Sequence, residues 1–186
     1  NINNDHKLAL RYNYTNNTGW NGPNASSMDG GTRSAYARTS LYSMAFANNM
    51  YSMNNLVHSV SLDLNSRLTD NLSNQFLATF SKLDDVRGTN SDMFPHIDIL
   101  DGTGTTTNYM SLGYELFTWN NAVHNTHVSI KDDMTLYAGN HKLTAGLTYE
   151  YQMADNAYMR NGTGYYRYAS VDDFINGAAP EVVCLT

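Results

Sequence analysis

The chain has 186 residues, with 11 Lys plus Arg against 17 Asp plus Glu and a net charge of −6. That length suffices for one ordinary domain with a sizeable core, and so acidic a balance argues against nucleic acid as a partner, because phosphate binding needs clustered cations. Charged residues make up only 15%, below the roughly 25% of an average soluble domain. Asn, Ser, Thr, Gly and Tyr fill the deficit, which suits a barrel with a wet interior and aromatic belts, and equally a secreted adhesive or carbohydrate-binding β domain.

The first strand is expected at about 7–15, where Leu8, Leu10, Tyr12 and Tyr14 alternate with Lys7, Ala9, Arg11 and Asn13. A period of two means a strand with one apolar face. The second is expected at about 56–66, with Val60, Leu62 and Leu64 opposed to Ser61, Asp63 and Asn65. The third, at about 74–83, sets Phe76, Ala78 and Phe80 against Gln75, Thr79 and Ser81. The fourth, at about 124–137, has Thr126, Val128, Ile130, Met134 and Leu136 in phase. The fifth, at about 142–153, repeats the first: His141-Lys142-Leu143 aligns with His6-Lys7-Leu8, and Leu143, Ala145, Leu147 and Tyr149 keep the phase. Aliphatic residues at the start of a strand and tyrosines at its end match a membrane strand that crosses hydrocarbon and finishes in an aromatic girdle. Two such strands alone fit soluble sandwiches and lipocalin-like barrels as well.

Connection lengths favour the membrane reading. The links at 67–73 and 138–141 are short, and Gly139-Asn140 is a turn signal. The links 16–55 and 84–123 and the tail 154–186 are long. Structureless loops of that size are uncommon in compact soluble domains, whereas outer-membrane barrels alternate short periplasmic turns with long outer loops. The two short turns are therefore expected at one end of the sheet and the long loops at the other. Short helices are expected at 34–47 and at Ser170–Gly177, the latter with Ser170 as N-cap, two acids in its first turn and Gly177 as the stop.

Two residues break the pattern. Asp132 falls on the apolar phase of the fourth strand, which a β-bulge near Lys131-Asp132-Asp133 or a position at the interface would explain. His58 falls on that face too. No run of about 20 apolar residues occurs, so no transmembrane helix is expected. There is no signal peptide, and the strand pattern starts by residue 7, so the chain reads as a processed or excised piece of something longer. Cys184 is the single cysteine, which excludes an internal disulfide framework and a Cys-based metal site.

No phosphate loop, nucleophile elbow or His-Glu-x-x-His occurs, so no catalytic residue is assigned and an enzyme is not expected. No metal or cofactor is expected either. Asp132 and Asp133 point to opposite faces of a strand, as do His124 and His127, so neither pair acts jointly. Asp172 and Asp173 suit a helix start. Trp20, Trp119, Tyr165 and Tyr166 are the candidate ligand contacts, as loop aromatics able to stack on sugars or aromatic ligands; packing loops on one another is the plainer role for such side chains.

The run Ile130-Lys131-Asp132-Asp133-Met134-Thr135-Leu136-Tyr137-Ala138-Gly139-Asn140-His141-Lys142-Leu143-Thr144-Ala145-Gly146 resembles the barrel of TonB-dependent outer-membrane receptors, in the branch that carries an N-terminal carboxypeptidase-regulatory-like domain. The close Ser170-Val171-Asp172-Asp173-Phe174-Ile175-Asn176-Gly177 resembles that branch too, as do Asn3-Asn4-Asp5-His6-Lys7-Leu8 and the stretch from Leu64 to Asn74. The resemblance implies a segment of a large plugged barrel of about 22 strands, here an all-β antiparallel meander of five to six strands with long external loops. It implies the cell outer membrane, contact with its lipid, and energised import of a bulky nutrient: a metal chelate, glycan or peptide. The plug domain and the TonB system would be engaged through the full-length protein and not by these residues. Loop ligands differ between family members, so no family binding residue carries over. The alternative is a secreted soluble β domain that binds glycan or protein through aromatic loops.

Overall fold

The computed structural model describes residues 2–24, 38–104 and 107–184. Within them the protein is all-β. The strands are β1 (His6–Asn21), β2 (Met44–Ala45), β3 (Tyr51–Arg67), β4 (Leu72–Thr89), β5 (His96–Leu100), β6 (Asn108–Leu112), β7 (Ala122–Ala138), β8 (His141–Ala157), β9 (Tyr165–Tyr168) and β10 (Val182–Cys184). A 3-10 turn spans Ala47–Asn49, and one short α-helix, α1, spans Val171–Ile175. The strands form two five-stranded sheets, ordered β1-β3-β4-β7-β8 and β10-β9-β5-β6-β2. The chain divides into two compact units: 1–17, 55–85 and 123–155 form the first, and 18–54, 86–122 and 156–186 the second.

The first sheet is an antiparallel meander whose order follows the chain. Arg67 N–H donates to Asp5 O at 2.8 Å, which joins the end of β3 to the start of β1. Tyr137 N–H donates to Asn71 O at 2.8 Å, and Arg87 N–H to Asn121 O at 3.0 Å, so β4 and β7 run oppositely in one register throughout. The Tyr137–Asn71 bond also puts the two short turns side by side at one end of the sheet, as the connection lengths predict.

All five expected strands are present, and all are longer than the sequence pattern suggests, at 16 to 18 residues. They extend into the ranges expected as loops, because alternation fades where both faces turn polar although backbone pairing continues. The remainder of those ranges is not structureless. It supplies β2, β5, β6, β9 and β10, the whole of the second sheet.

That second sheet is mixed. β5 runs parallel to β9, with Ile97 beside Tyr166, and antiparallel to β6, with Asp98 beside Ser111. β2 runs parallel to β6, and β10 antiparallel to β9. All five residues of β5 are buried, and Ile97, Ile99, Leu100, Leu116 and Tyr165 form the apolar core of this unit. β5 is only five residues long, and although His96-Ile97-Asp98-Ile99 alternates, the run is too short to stand out as a strand, and its polar residues are buried along with its apolar ones. Gly113 is required where β6 ends. Its φ is +89°, and a Cβ there would overlap the Pro95 carbonyl.

The helix expected near the end of the chain forms as α1. Ser170 Oγ accepts from Asp173 N–H at 3.1 Å, Asp172 and Asp173 occupy the first turn, and Gly177 follows at φ +68°. The helix expected at 34–47 does not form in its described part: residues 34–37 lie outside the described residues, and from Arg38 onward the chain makes bends, β2 and the 3-10 turn.

Candidate functional site

The first sheet has two chemically opposite faces. Thr135 Oγ1 meets Thr144 Oγ1 at 3.0 Å across β7 and β8, and Asn55 Nδ2 donates to Asp85 Oδ1 across β3 and β4. Tyr12 stacks on His58 across β1 and β3, with centroids 6.2 Å apart, and Tyr14 packs tilted against the same ring at 5.2 Å. With the backbone bonds above, these pairings order the side chains in cross-strand rows. Leu8, Leu64, Phe76, Asp132 and Leu147 make one row. Leu10, Leu62, Ala78, Ile130 and Tyr149 make the next, and Tyr12, Val60, Phe80, Val128 and Tyr151 the third. Leu8, Leu10, Val60, Leu62, Leu64, Phe76, Phe80, Val128, Ile130, Leu143 and Leu147, the apolar phase expected of the five strands, all share this face.

This face is bare. Leu147 is 76% exposed and Leu10 69%, and Leu143, Phe80 and Ile130 are exposed too. No described residue covers them. Tyr12, Tyr14, Tyr149 and Tyr151 are about half exposed and lie on the side of the face away from the short turns. An exposed apolar face of this extent is unusual for a protein surrounded by water. β1 and β8 are the edges of the sheet.

The two misfits stay on this face. The single β4/β7 register leaves no room for a net bulge at 131–133, so that expectation is corrected: Asp132 shares the apolar side, where Asn74 Nδ2 donates to its carboxylate at 2.6 Å. Asp133 points to the other side and pairs with Lys131 at 2.6 Å. His58 accepts from, or donates to, the Tyr12 hydroxyl at 2.7 Å. His124 is held by Asp84 at 2.6 Å. Among the described residues no three His, Cys, Asp or Glu side chains gather as a metal site.

The opposite face is polar, with Lys7, Asn65, Gln75, Thr135, Lys142 and Thr144 near the short turns around a hollow of about 680 Å³. Gly146 lies across from Asp133 on this side, and a Cβ there would overlap the Asp133 carboxylate and press on Asp132 O at 2.9 Å.

The second unit holds a buried polar node that the sequence pattern does not reveal. Asp98 accepts from Arg38 Nε and Nη2 at 2.9 and 2.6 Å, from Ser111 Oγ at 2.6 Å, from Tyr165 Oη at 3.0 Å and from His96 Nε2 at 3.2 Å. Burial pushes the Asp98 carboxyl up, but the charges and hydrogen bonds of His96 and Arg38 outweigh it and hold the group well below the usual carboxylate range. Burial, then the Asp98 charge, pushes the Tyr165 phenol well above its ordinary value. Ser, His and Asp meet here, but the hydroxyl and the imidazole both bind the same carboxylate and all three are sealed from solvent. The arrangement activates no nucleophile. A second buried acid, Glu115, accepts from Arg87 at 2.9 Å and from Thr118 Oγ1 at 2.7 Å, with Arg87 over the Tyr51 ring.

The four aromatic candidates do not form one site. Tyr165 is fully buried with its hydroxyl on Asp98, so its expected ligand contact is corrected to a core role. Trp119 packs edge-on against Tyr114, and Gly162 lies directly on its indole. Tyr166 is half-buried within β9, beside Ile97 and Val183. Trp20 alone is largely open, at the end of β1. Loop aromatics carry no sequence signal that separates packing from binding. Cys184 Sγ accepts from Asn161 Nδ2 at 3.3 Å.

No protein-family model, curated protein or solved structure matches the chain.

Proposed function

We propose that the chain is part of the β-barrel of a TonB-dependent outer-membrane receptor, a protein that imports a bulky nutrient such as a metal chelate, glycan or peptide by energised transport. The observation that carries this reading is the first sheet: long antiparallel strands with a bare apolar face graded from leucine to tyrosine and a polar opposite face. A lipid-facing wall needs that face and a water-filled lumen needs the other. The rows from Leu143 to Met153 span about ten residues of β8, which is what a tilted strand needs to cross a bilayer. Short turns together at one end and long connections elsewhere agree with it, as does the resemblance of the 130–146 and 170–177 phrases. Plug and TonB contacts belong, on this reading, to the full-length protein.

The wall is tested with nitroxide labels on the chain in phosphatidylcholine vesicles, in a Cys184→Ser background. Labels at Leu10→Cys and Leu147→Cys should collide preferentially with oxygen, and labels at Lys7→Cys and Thr144→Cys with a water-soluble nickel chelate. Equal access of the nickel chelate to all four positions would overturn the reading and favour the soluble β domain. Import is tested in cells: deleting the full-length gene should abolish accumulation of one nutrient class that depends on the proton-motive force.

A further inference from the structure

We infer that the polar face of the first sheet, at its short-turn end, is a docking surface for an acidic polypeptide segment. The chain as a whole is acidic, at net charge −6, yet the hollow on this face is lined by three cations, Lys7, Arg67 and Lys142, and two acids, Asp5 and Asp133. Both acids are committed. Asp5 holds Arg67 at 2.6 Å and Asp133 holds Lys131 at 2.6 Å. Lys7 and Lys142 have no carboxylate partner among the described residues; Lys142 only overhangs the Tyr137 ring at 5.9 Å. Uncompensated positive charge on an acidic protein is complementary to an anionic partner.

The placement of the two ammonium groups defines the partner further. Lys7 lies on β1 and Lys142 on β8, the two outer strands of the sheet. Four interstrand spacings, about 19 Å, separate them across the sheet, and Lys142 lies a further four residues, about 13 Å, along the strand from the row of Lys7. One small anion cannot touch both, whereas an extended chain with two carboxylates can. Between them the floor is amide and hydroxyl, from Asn65, Gln75, Thr135 and Thr144, groups that pair with peptide N–H and C=O, and its two carboxylates are already held, Asp63 by the Asn65 and Gln75 amides and Asp133 by Lys131. Tyr137 is the one aromatic ring at the hollow, so the stacking platforms that hold sugars or single-stranded nucleic acid are lacking. The inference rests on this face alone and stands whether or not the opposite face meets lipid.

The probe is a fluorescein-labelled 12-residue peptide of alternating Glu and Asn, with a Gln-for-Glu peptide as control, read by fluorescence anisotropy on the full chain in detergent micelles. The Glu peptide should bind saturably and the Gln peptide at least tenfold more weakly. The Lys7→Gln/Lys142→Gln chain should lose at least tenfold in affinity, and Lys82→Gln, on the other face, should lose none. Both lysines are exposed, and circular dichroism checks that the variants keep the sheet. The inference is overturned by no saturable binding, by equal binding of the two peptides, by equal loss in Lys82→Gln, by displacement with millimolar inorganic phosphate, or by equally tight binding of a labelled twelve-residue oligothymidine.

Discussion

Arg38 and Asp98 meet as a two-pronged ion pair, 2.6 Å at its shortest, and neither side chain reaches water. The carboxylate is completed by Ser111, Tyr165 and His96, so it lies at the centre of the second sheet's polar node. A buried pair of this kind adds little compared with a well-packed apolar substitute, yet removing one partner strands the other charge. Asp98→Ala and Arg38→Ala should therefore each destabilise the second unit by about 3–5 kcal/mol. The Arg38→Met/Asp98→Leu double variant should lose less than either single one. Denaturant unfolding followed by near-ultraviolet circular dichroism measures this, and additive losses would contradict a coupled pair.

The same node sets a pH dependence. The folded Asp98 carboxyl titrates below its unfolded value, so its contribution is complete above about pH 4, the unfolded range. It is lost as pH falls below that. Tyr165 has the opposite sign, since its folded phenol titrates above its unfolded value. Its contribution is complete below about pH 10 and declines as pH rises further. Unfolding midpoints across pH 2–11 should fall at both ends, and Asp98→Asn should flatten the acid limb. An unchanged acid limb in that variant would remove Asp98 from the account.

Gly146 and Gly113 are constrained for different reasons. Gly146→Ala pushes a methyl group into the Asp133 carboxylate across the β7/β8 pair. It should cost about 1–3 kcal/mol, the usual range for overpacking. Asp133→Ser, which shortens the opposing side chain, should restore most of that. Gly113→Ala combines φ +89° with overlap on the Pro95 carbonyl, and the backbone has no side chain to move aside. Its loss should be the larger of the two and should not be rescued by a neighbouring substitution. Thermal unfolding of the four chains compares them.

The bare face predicts a dependence on solvent. In lipid vesicles Leu10→Arg and Leu147→Arg should weaken folding by about 2–4 kcal/mol near the bilayer midplane, and Thr144→Arg should change it little. Asp132→Leu should strengthen folding in the same vesicles, because it removes a carboxylate from the row that holds Leu8, Phe76 and Leu147. Urea titration of vesicle-bound chain reads all four. If the Arg variants at 10, 147 and 144 behave alike, the apolar face does not meet hydrocarbon.

The faces of the first sheet were legible in the sequence because a period of two survives wherever one side is apolar and the other polar. Leu8, Leu62, Phe80, Ile130 and Leu147 announce their side without any knowledge of their neighbours. The α1 cap was legible for the same reason: Ser170 and Asp173 interact over three residues of chain. Asp98 was not legible, since its partners Arg38, Ser111 and Tyr165 lie 60, 13 and 67 residues away. Only the tertiary structure decided that β5 lies between β9 and β6. Only there is Tyr165 a core residue, and not a surface aromatic, because its hydroxyl finds a carboxylate that the fold brings to it. Periodicity records which face of its own strand a residue takes, and not which side chains of distant strands that face will meet.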